Sequence, residues 1–146
     1  RSLIAYGNIF AKELMDEEIG QLTKVDIPDS LGIVAEHESG ATAVYHLSNV
    51  AHLGFQSFGF FGTKASLKYE GNGAFIAPRG ADKWQPLEID PSSRGRWRVE
   101  EDFIEAIREG KPVTHTNFSD GVKYMEFTEA VQISMAEERR VYLPLG

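Results

Sequence analysis

The stretch Leu31 to Tyr69 constrains this chain more than any other. It holds Leu-Gly-Ile-Val-Ala-Glu-His-Glu, Ser39-Gly40, Ala-Thr-Ala-Val-Tyr-His-Leu-Ser, then Phe55-Gln-Ser-Phe-Gly-Phe-Phe-Gly and Lys64-Ala-Ser-Leu-Lys-Tyr. Short runs of β-branched and aromatic residues, broken by Gly, Ser and Asn, mark successive antiparallel strands. Ser39-Gly40 reads as a two-residue hairpin loop, because Gly tolerates the positive φ that tight turns need. That loop sets Glu38 opposite Ala41 and Val34 opposite Tyr45. One face then carries Val34, Ala43, Tyr45 and Leu47, and the other Leu31, Ile33, Ala35 and Val44. Phe55, Phe58, Phe60 and Phe61 also fall on both sides of the next strand. A sheet apolar on both faces must be covered on both.

The chain has 146 residues, 42% of them hydrophobic and 25% charged, which suits one soluble domain spanning 1–146. Acidic groups outnumber basic ones by 22 to 15, and a net charge of -7 argues against nucleic acid as the partner. Without cysteine there is no disulfide framework or thiolate chemistry. No apolar run approaches the ~20 residues of a membrane span and no signal peptide is visible, so no membrane partner and a cytoplasmic location are expected. Arg1 in place of Met leads us to expect a piece cut from something longer.

Leu3 to Leu14 reads as an opening strand that Gly7 bends or bulges. A helix over Phe10 to Leu22 competes, since Ala-Lys-Glu-Leu-Met-Asp-Glu-Glu favours one by propensity. Ile27 to Ser30 is a loop. Gly71-Asn72-Gly73 turns into a strand Ala74 to Ala77 that Pro78 ends, and Trp84 to Ile89 is an edge strand because Pro86 cannot donate to a central ladder. From Val99 the period becomes helical: Phe103, Ala106 and Ile107 recur, Glu100 to Asp102 load the first turn, and Gly110 with Pro112 stops it. Ser119-Asp120 caps a longer helix with polar stripe Lys123, Glu126, Glu129 and Gln132. Val122, Met125, Phe127, Ala130, Val131 and Ile133 are its expected buried side, packed on the sheet and against the Val99 helix. Val141 to Leu145 returns to the sheet as a strand. The order predicts an α+β domain, a mostly antiparallel open sheet with two helices on one face.

Candidate chemistry is sparse. His46 and His52 have no carboxylate beside them to complete a metal set. His37 lies on the opposite strand face from Glu36 and Glu38, and His115 follows Thr114 in a loop. Arg94, Arg96 and Arg98 around Trp97 look like a small basic patch, but the run Glu100 to Asp102 follows, so the stretch reads as a solvated loop entering a helix. Gly54, Gly59 and Gly62 are wrongly spaced for a dinucleotide fingerprint, and Gly62-Thr63-Lys64 sits between strands. Glu137 and Glu138 precede Arg139 and Arg140 at a helix end. We assign no catalytic, cofactor-binding or metal-binding residue.

Three segments carry a resemblance: Ser39-Gly40-Ala41 with Ser48; Phe61-Gly62-Thr63-Lys64-Ala65-Ser66-Leu67; and Asp102-Phe103-Ile104-Glu105-Ala106-Ile107-Arg108-Glu109-Gly110-Lys111-Pro112. In this order, with Glu126, Ala130, Ser134 and Val141-Tyr-Leu-Pro, they resemble the C-terminal domain of the glucose–fructose oxidoreductase and inositol dehydrogenase (Gfo/Idh/MocA) family, from about Asp29 onward. The resemblance implies an α+β domain that shapes a sugar or polyol pocket and forms a homo-oligomer through its sheet face. It also implies a Rossmann domain holding NAD or NADP elsewhere in a parent chain. The chain departs from the family pattern. It lacks the family's Glu-Lys-Pro and Asp-x-x-x-His motifs, since Ile33, Thr42, Ser48 and Lys111 stand four residues before the histidines. Ala65 also stands where the family usually has glycine. A fragment beginning just after the catalytic helix, inactive by itself, is expected. A self-standing binding or assembly module without enzyme activity is the alternative.

Overall fold

The computed structural model describes residues 1–93, 95–113 and 116–146. Among these residues ten strands and two α-helices follow in order: β1 (Ser2–Asn8), β2 (Glu13–Asp16), β3 (Gln21–Lys24), β4 (Ser30–Glu36), β5 (Thr42–Ser48), β6 (Ser57–Phe61), β7 (Ala65–Glu70), β8 (Gly73–Pro78), β9 (Gln85–Pro86), α1 (Val99–Glu109), α2 (Phe118–Glu137) and β10 (Val141–Tyr142). This is the expected α+β arrangement of antiparallel strands and two helices. The chain divides into two compact units, Arg1–His52 with Glu105–Gly146, and Leu53–Ile104.

The first unit is built on a four-stranded sheet ordered β10-β1-β4-β5. Its hairpin register differs from the sequence reading. Ala35 faces Ala43, Val34 faces Val44 and Ile33 faces Tyr45. The His37 N–H donates to Ala41 O at 2.8 Å, and Gly40 takes φ +84. The loop is therefore the three residues Glu38-Ser39-Gly40, with glycine at the left-handed position that such loops require. One residue of slip moves every β5 side chain to the other face. Leu31, Ile33 and Ala35 thus share a face with Ala43, Tyr45 and Leu47, while Val34 shares the opposite face with Val44.

Leu3, Ala5, Ile33, Ala35 and Val141 from the sheet close a core with Ala130 and Val131 of α2. Phe127, Ile133 and Met135 pack around it, with Leu31, Leu143 and Leu145. The Tyr45 ring meets Phe127 edge-on at 5.8 Å, which fixes Tyr45 on the helix side. Burial along α2 is confined to Ala130, Val131 and Ser134, and Val122 and Met125, expected inside, are exposed. The large apolar side chains ahead of Phe127, those of Phe118, Val122, Tyr124 and Met125, are all exposed. The N-cap of α2 is Asn117 rather than Ser119-Asp120: Asn117 Oδ1 accepts the Asp120 N–H at 3.1 Å and the Ser119 hydroxyl at 2.6 Å. α1 begins and ends where the sequence indicated, with Gly110 at φ +63 just past it. None of its residues is buried, and Phe103 and Ile107 lie at the surface.

β1 stops at Asn8, short of the expected Leu14. The Asp29 carboxylate takes the N–H groups of Phe10 and Ala11 and turns the chain out of the sheet. Neither a long strand nor a Phe10–Leu22 helix forms there. The segment is the β2–β3 ribbon, turned by Asp16, whose carboxylate accepts the Glu18 N–H at 2.9 Å, and by Gly20 at φ +65. Gly7 makes no bulge, because the β1–β4 register runs unbroken through it. A Cβ there would stand 2.7 Å from Met135 Sδ and 2.9 Å from Pro28 Cβ, so glycine permits the close approach of strand, loop and helix.

The second unit holds a sheet ordered β6-β7-β8-β9, with the short strand β9 at the edge, as Pro86 requires. Phe58 and Phe60 share a face with Tyr69 and Leu67, and Phe61 points to the other. On that other face Lys68 Nζ lies 5.1 Å from the Phe75 ring and 5.3 Å from Trp84, and 2.8 Å from Glu70. Among the described residues no helix is long and apolar enough to cross a membrane.

Candidate functional site

The face of the β10-β1-β4-β5 sheet away from α2 is set by strand alternation. It carries Ile4 and Tyr6 from β1, Val34 and Glu36 from β4, Thr42, Val44 and His46 from β5, and Tyr142 from β10. Ile4, Val34 and Val44 form one cross-strand row, and all three are exposed, Val44 at 75%. Tyr6, at 72%, continues the patch toward Gly32 and His46. At the other end Arg1 Nε and Arg140 Nη1 each lie 3.8 Å from a different oxygen of Glu36. A shallow depression of about 190 Å³ lies there, lined by Ser2, Ile4, Val34, Glu36, Thr42 and Arg140 among others. That volume is below the ~300–1,000 Å³ of small-molecule pockets, so the depression is not a closed ligand pocket.

The Asp29 carboxylate is held by backbone N–H groups from the chain leaving β1. Its oxygens take the Ala11 N–H at 2.7 Å and the Phe10 N–H at 3.0 Å. Its own N–H donates to Asn8 O, and its carbonyl accepts from Asn49. The Ala11 and then the Phe10 N–H groups hold its carboxyl below the usual carboxylate range. The Asp follows Pro28 in a loop, where a side chain that caps backbone groups is favoured, and that was its one sequence signal. The Ser92 hydroxyl and N–H lower Asp90 in the same way, and the Trp97 indole N–H lowers Glu100.

The residues weighed from sequence do not converge. His37 lies at the base of the hairpin loop, His46 on the exposed sheet face and His52 in the turn after β5, all three exposed. Arg94, Thr114 and His115 lie outside the described residues. Among the described residues no three of His, Cys, Asp and Glu come together as a metal site. Arg96 is paired bidentately with Glu101 at 3.0 and 2.9 Å, and Arg98 reaches Glu101 at 3.4 Å and Asp102 at 3.2 Å. The basic residues entering α1 are thus answered by the acidic run that follows them. Gly62-Thr63-Lys64 lies in the β6–β7 turn, closed by the Gly62 N–H on Ala65 O at 3.0 Å.

No family model and no curated protein matches the sequence. Solved structures share its fold. Levoglucosan dehydrogenase in complex with NADH and L-sorbose superposes with a TM-score of 0.78 at 21% identity, over 99% of this chain and 45% of that one. An oxidoreductase domain protein from Kribbella flavida gives 0.74 at 18%, over 99% and 44%. The WlbA dehydrogenase from Bordetella pertussis, in complex with NADH and UDP-GlcNAcA, gives 0.71 at 17%, over 99% and 40%. The chain spans less than half the length of these proteins, and at such identities the likeness is one of fold.

Proposed function

We propose that this chain is the substrate-side half of an NAD(P)-dependent sugar or polyol oxidoreductase of the Gfo/Idh/MocA type, joined to a second copy through its exposed sheet face. The observation that carries the reading is the superposition of 99% of the chain on 45% of a dehydrogenase whose structure holds NADH and a sugar. The ordered motifs from Ser39 to Pro144 point the same way.

The described residues do not fit a nicotinamide dinucleotide. Such a cofactor is held by a Gly-rich turn from a strand into a helix N-terminus. Here α1 is entered through an Arg-Trp-Arg loop and α2 through Asn117. The cofactor is therefore assigned to the remainder of a longer protein, and this half supplies walls for the substrate and the surface that pairs two copies. Ile4, Tyr6, Val34, Val44 and Tyr142, all exposed on one sheet face, support the pairing.

The test is to express the longer protein that carries this chain and follow NAD(P)H absorbance with anhydrosugars, monosaccharides and polyols. Turnover of one of these classes is expected, and the 146-residue chain alone is expected to give no saturable heat with NAD or NADP. Micromolar cofactor binding by the isolated chain would overturn the division of labour. Absence of a Gly-rich strand–turn–helix ahead of Arg1 would leave the non-enzymatic binding or assembly module in its place.

A further inference from the structure

The β2–β3 ribbon departs from the sheet at the Asn8 end of β1. Met15 pairs across it with Leu22, and Leu14 with Thr23. Leu14, Met15, Ile19 and Leu22 are each more than half exposed. A lone two-stranded ribbon is at best marginally stable in water, and exposed apolar groups on it call for cover. Its root is nevertheless fixed, by the Asp29 carboxylate on Phe10 and Ala11 and by the Val25 N–H on Lys12 O at 2.9 Å. Its tip carries Asp16, Glu17 and Glu18. At the opposite end of the same sheet two guanidinium groups, Arg1 and Arg140, both lie 3.8 Å from the one carboxylate of Glu36, while Arg139 is paired with Glu137.

We infer that the ribbon is a docking arm for a second copy of this chain, with its acidic tip against that copy's Arg1 and Arg140. The inference rests on the sheet-face pairing proposed above and goes beyond it. A two-fold pairing of exposed faces that reverses strand direction lays the Asn8 end of one β1 over the Ser2 end of the other. The arm then leaves each copy where its neighbour presents the arginine rim. Opposite charges meet, and the apolar blade of the ribbon gains cover from the neighbour. Within one chain the tip and the rim belong to opposite ends of β1, so one molecule cannot make the contact itself.

The chain has no cysteine, so the contact can be trapped directly. Glu17→Cys and Arg140→Cys placed in one chain should give a disulfide-linked dimer under mild oxidation at micromolar concentration, and either substitution alone should not. Reversing the tip with Glu17→Lys and Glu18→Lys should raise the dimer dissociation constant about tenfold, and Arg140→Glu in the same chain should restore part of it. Sedimentation separates the possible failures. A wild-type dimer that neither cross-links nor responds to charge reversal overturns the arm while leaving the sheet-face pairing. A wild-type monomer overturns both.

Discussion

Ser134 Oγ accepts the backbone N–H of Ala5 at 2.9 Å, across 129 positions of chain. The same hydroxyl donates to Arg139 O at 2.7 Å, and the Ser134 carbonyl takes the N–H of Glu138, which closes α2 in a left-handed conformation. Ser134 is fully buried. β10 pairs only with Ser2 and Leu3 of β1, so the Ala5 N–H has no strand partner on that side. One helix side chain stands in for the missing strand.

Ser134→Ala removes that acceptor and leaves a buried donor unsatisfied, a loss of about 1–3 kcal/mol. Urea unfolding of the two proteins should show it as a lower midpoint at unchanged slope. Ser134→Thr keeps the hydroxyl but adds a methyl group at a site with no free surface, and should not restore stability. A change within error of zero for the alanine variant would mean that water reaches Ala5.

Truncations should divide α2 and its sheet into a core half and a free half. Leu3, 1% exposed, should cost about 2–5 kcal/mol as Leu3→Ala. Met125, 67% exposed, should cost about 0.5 kcal/mol or less as Met125→Ala at concentrations where the chain is monomeric. Comparable losses at the two positions would place the first turns of α2, before Phe127, in the core.

Acid should loosen the root of the ribbon. The folded carboxyl of Asp29 lies below its ordinary value because it accepts the Ala11 and Phe10 N–H groups. Its contribution is therefore complete above the unfolded value, about 4, and fades as pH falls through the lower folded value. The stability difference between wild type and Asp29→Ala should be present at pH 7 and shrink as pH falls below about 4. A difference that stays constant over that range would show that the ionised form has no special role.

Much of this architecture was legible because strand and helix periods dominate it. The elements from β4 to β8, the edge position of β9 and both helices follow from alternation, turn residues and stop signals. The hairpin register did not, because Ser39-Gly40 fits a two-residue loop as well as the end of a three-residue one, and only cross-strand packing chooses. The ribbon was missed for a related reason. Glu-Leu-Met-Asp-Glu-Glu favours a helix locally, and the contacts that defeat it come from Asp29, far along the chain, and from the Asp16 turn. The long apolar side of α2 gave no sign of how far the sheet beneath it extends. The exposed sheet face was legible as an excess of apolar residues, though with the wrong members until the register was known. Ser134 had no signal of its own, since one serine on a helix says nothing about a strand that ends early.

The pairing of β10 with β1 also governs the order of assembly. Leu3 leaves the ribosome long before Val141, its neighbour in the ladder. The β1–β4–β5 meander can form while synthesis continues, but its inner face stays wet until Ala130 and Val131 emerge to cover it. Contacts of such long sequence separation close slowly. Until α2 and β10 are made the nascent sheet therefore presents two apolar faces, and β1 waits for β10 before the core is dry.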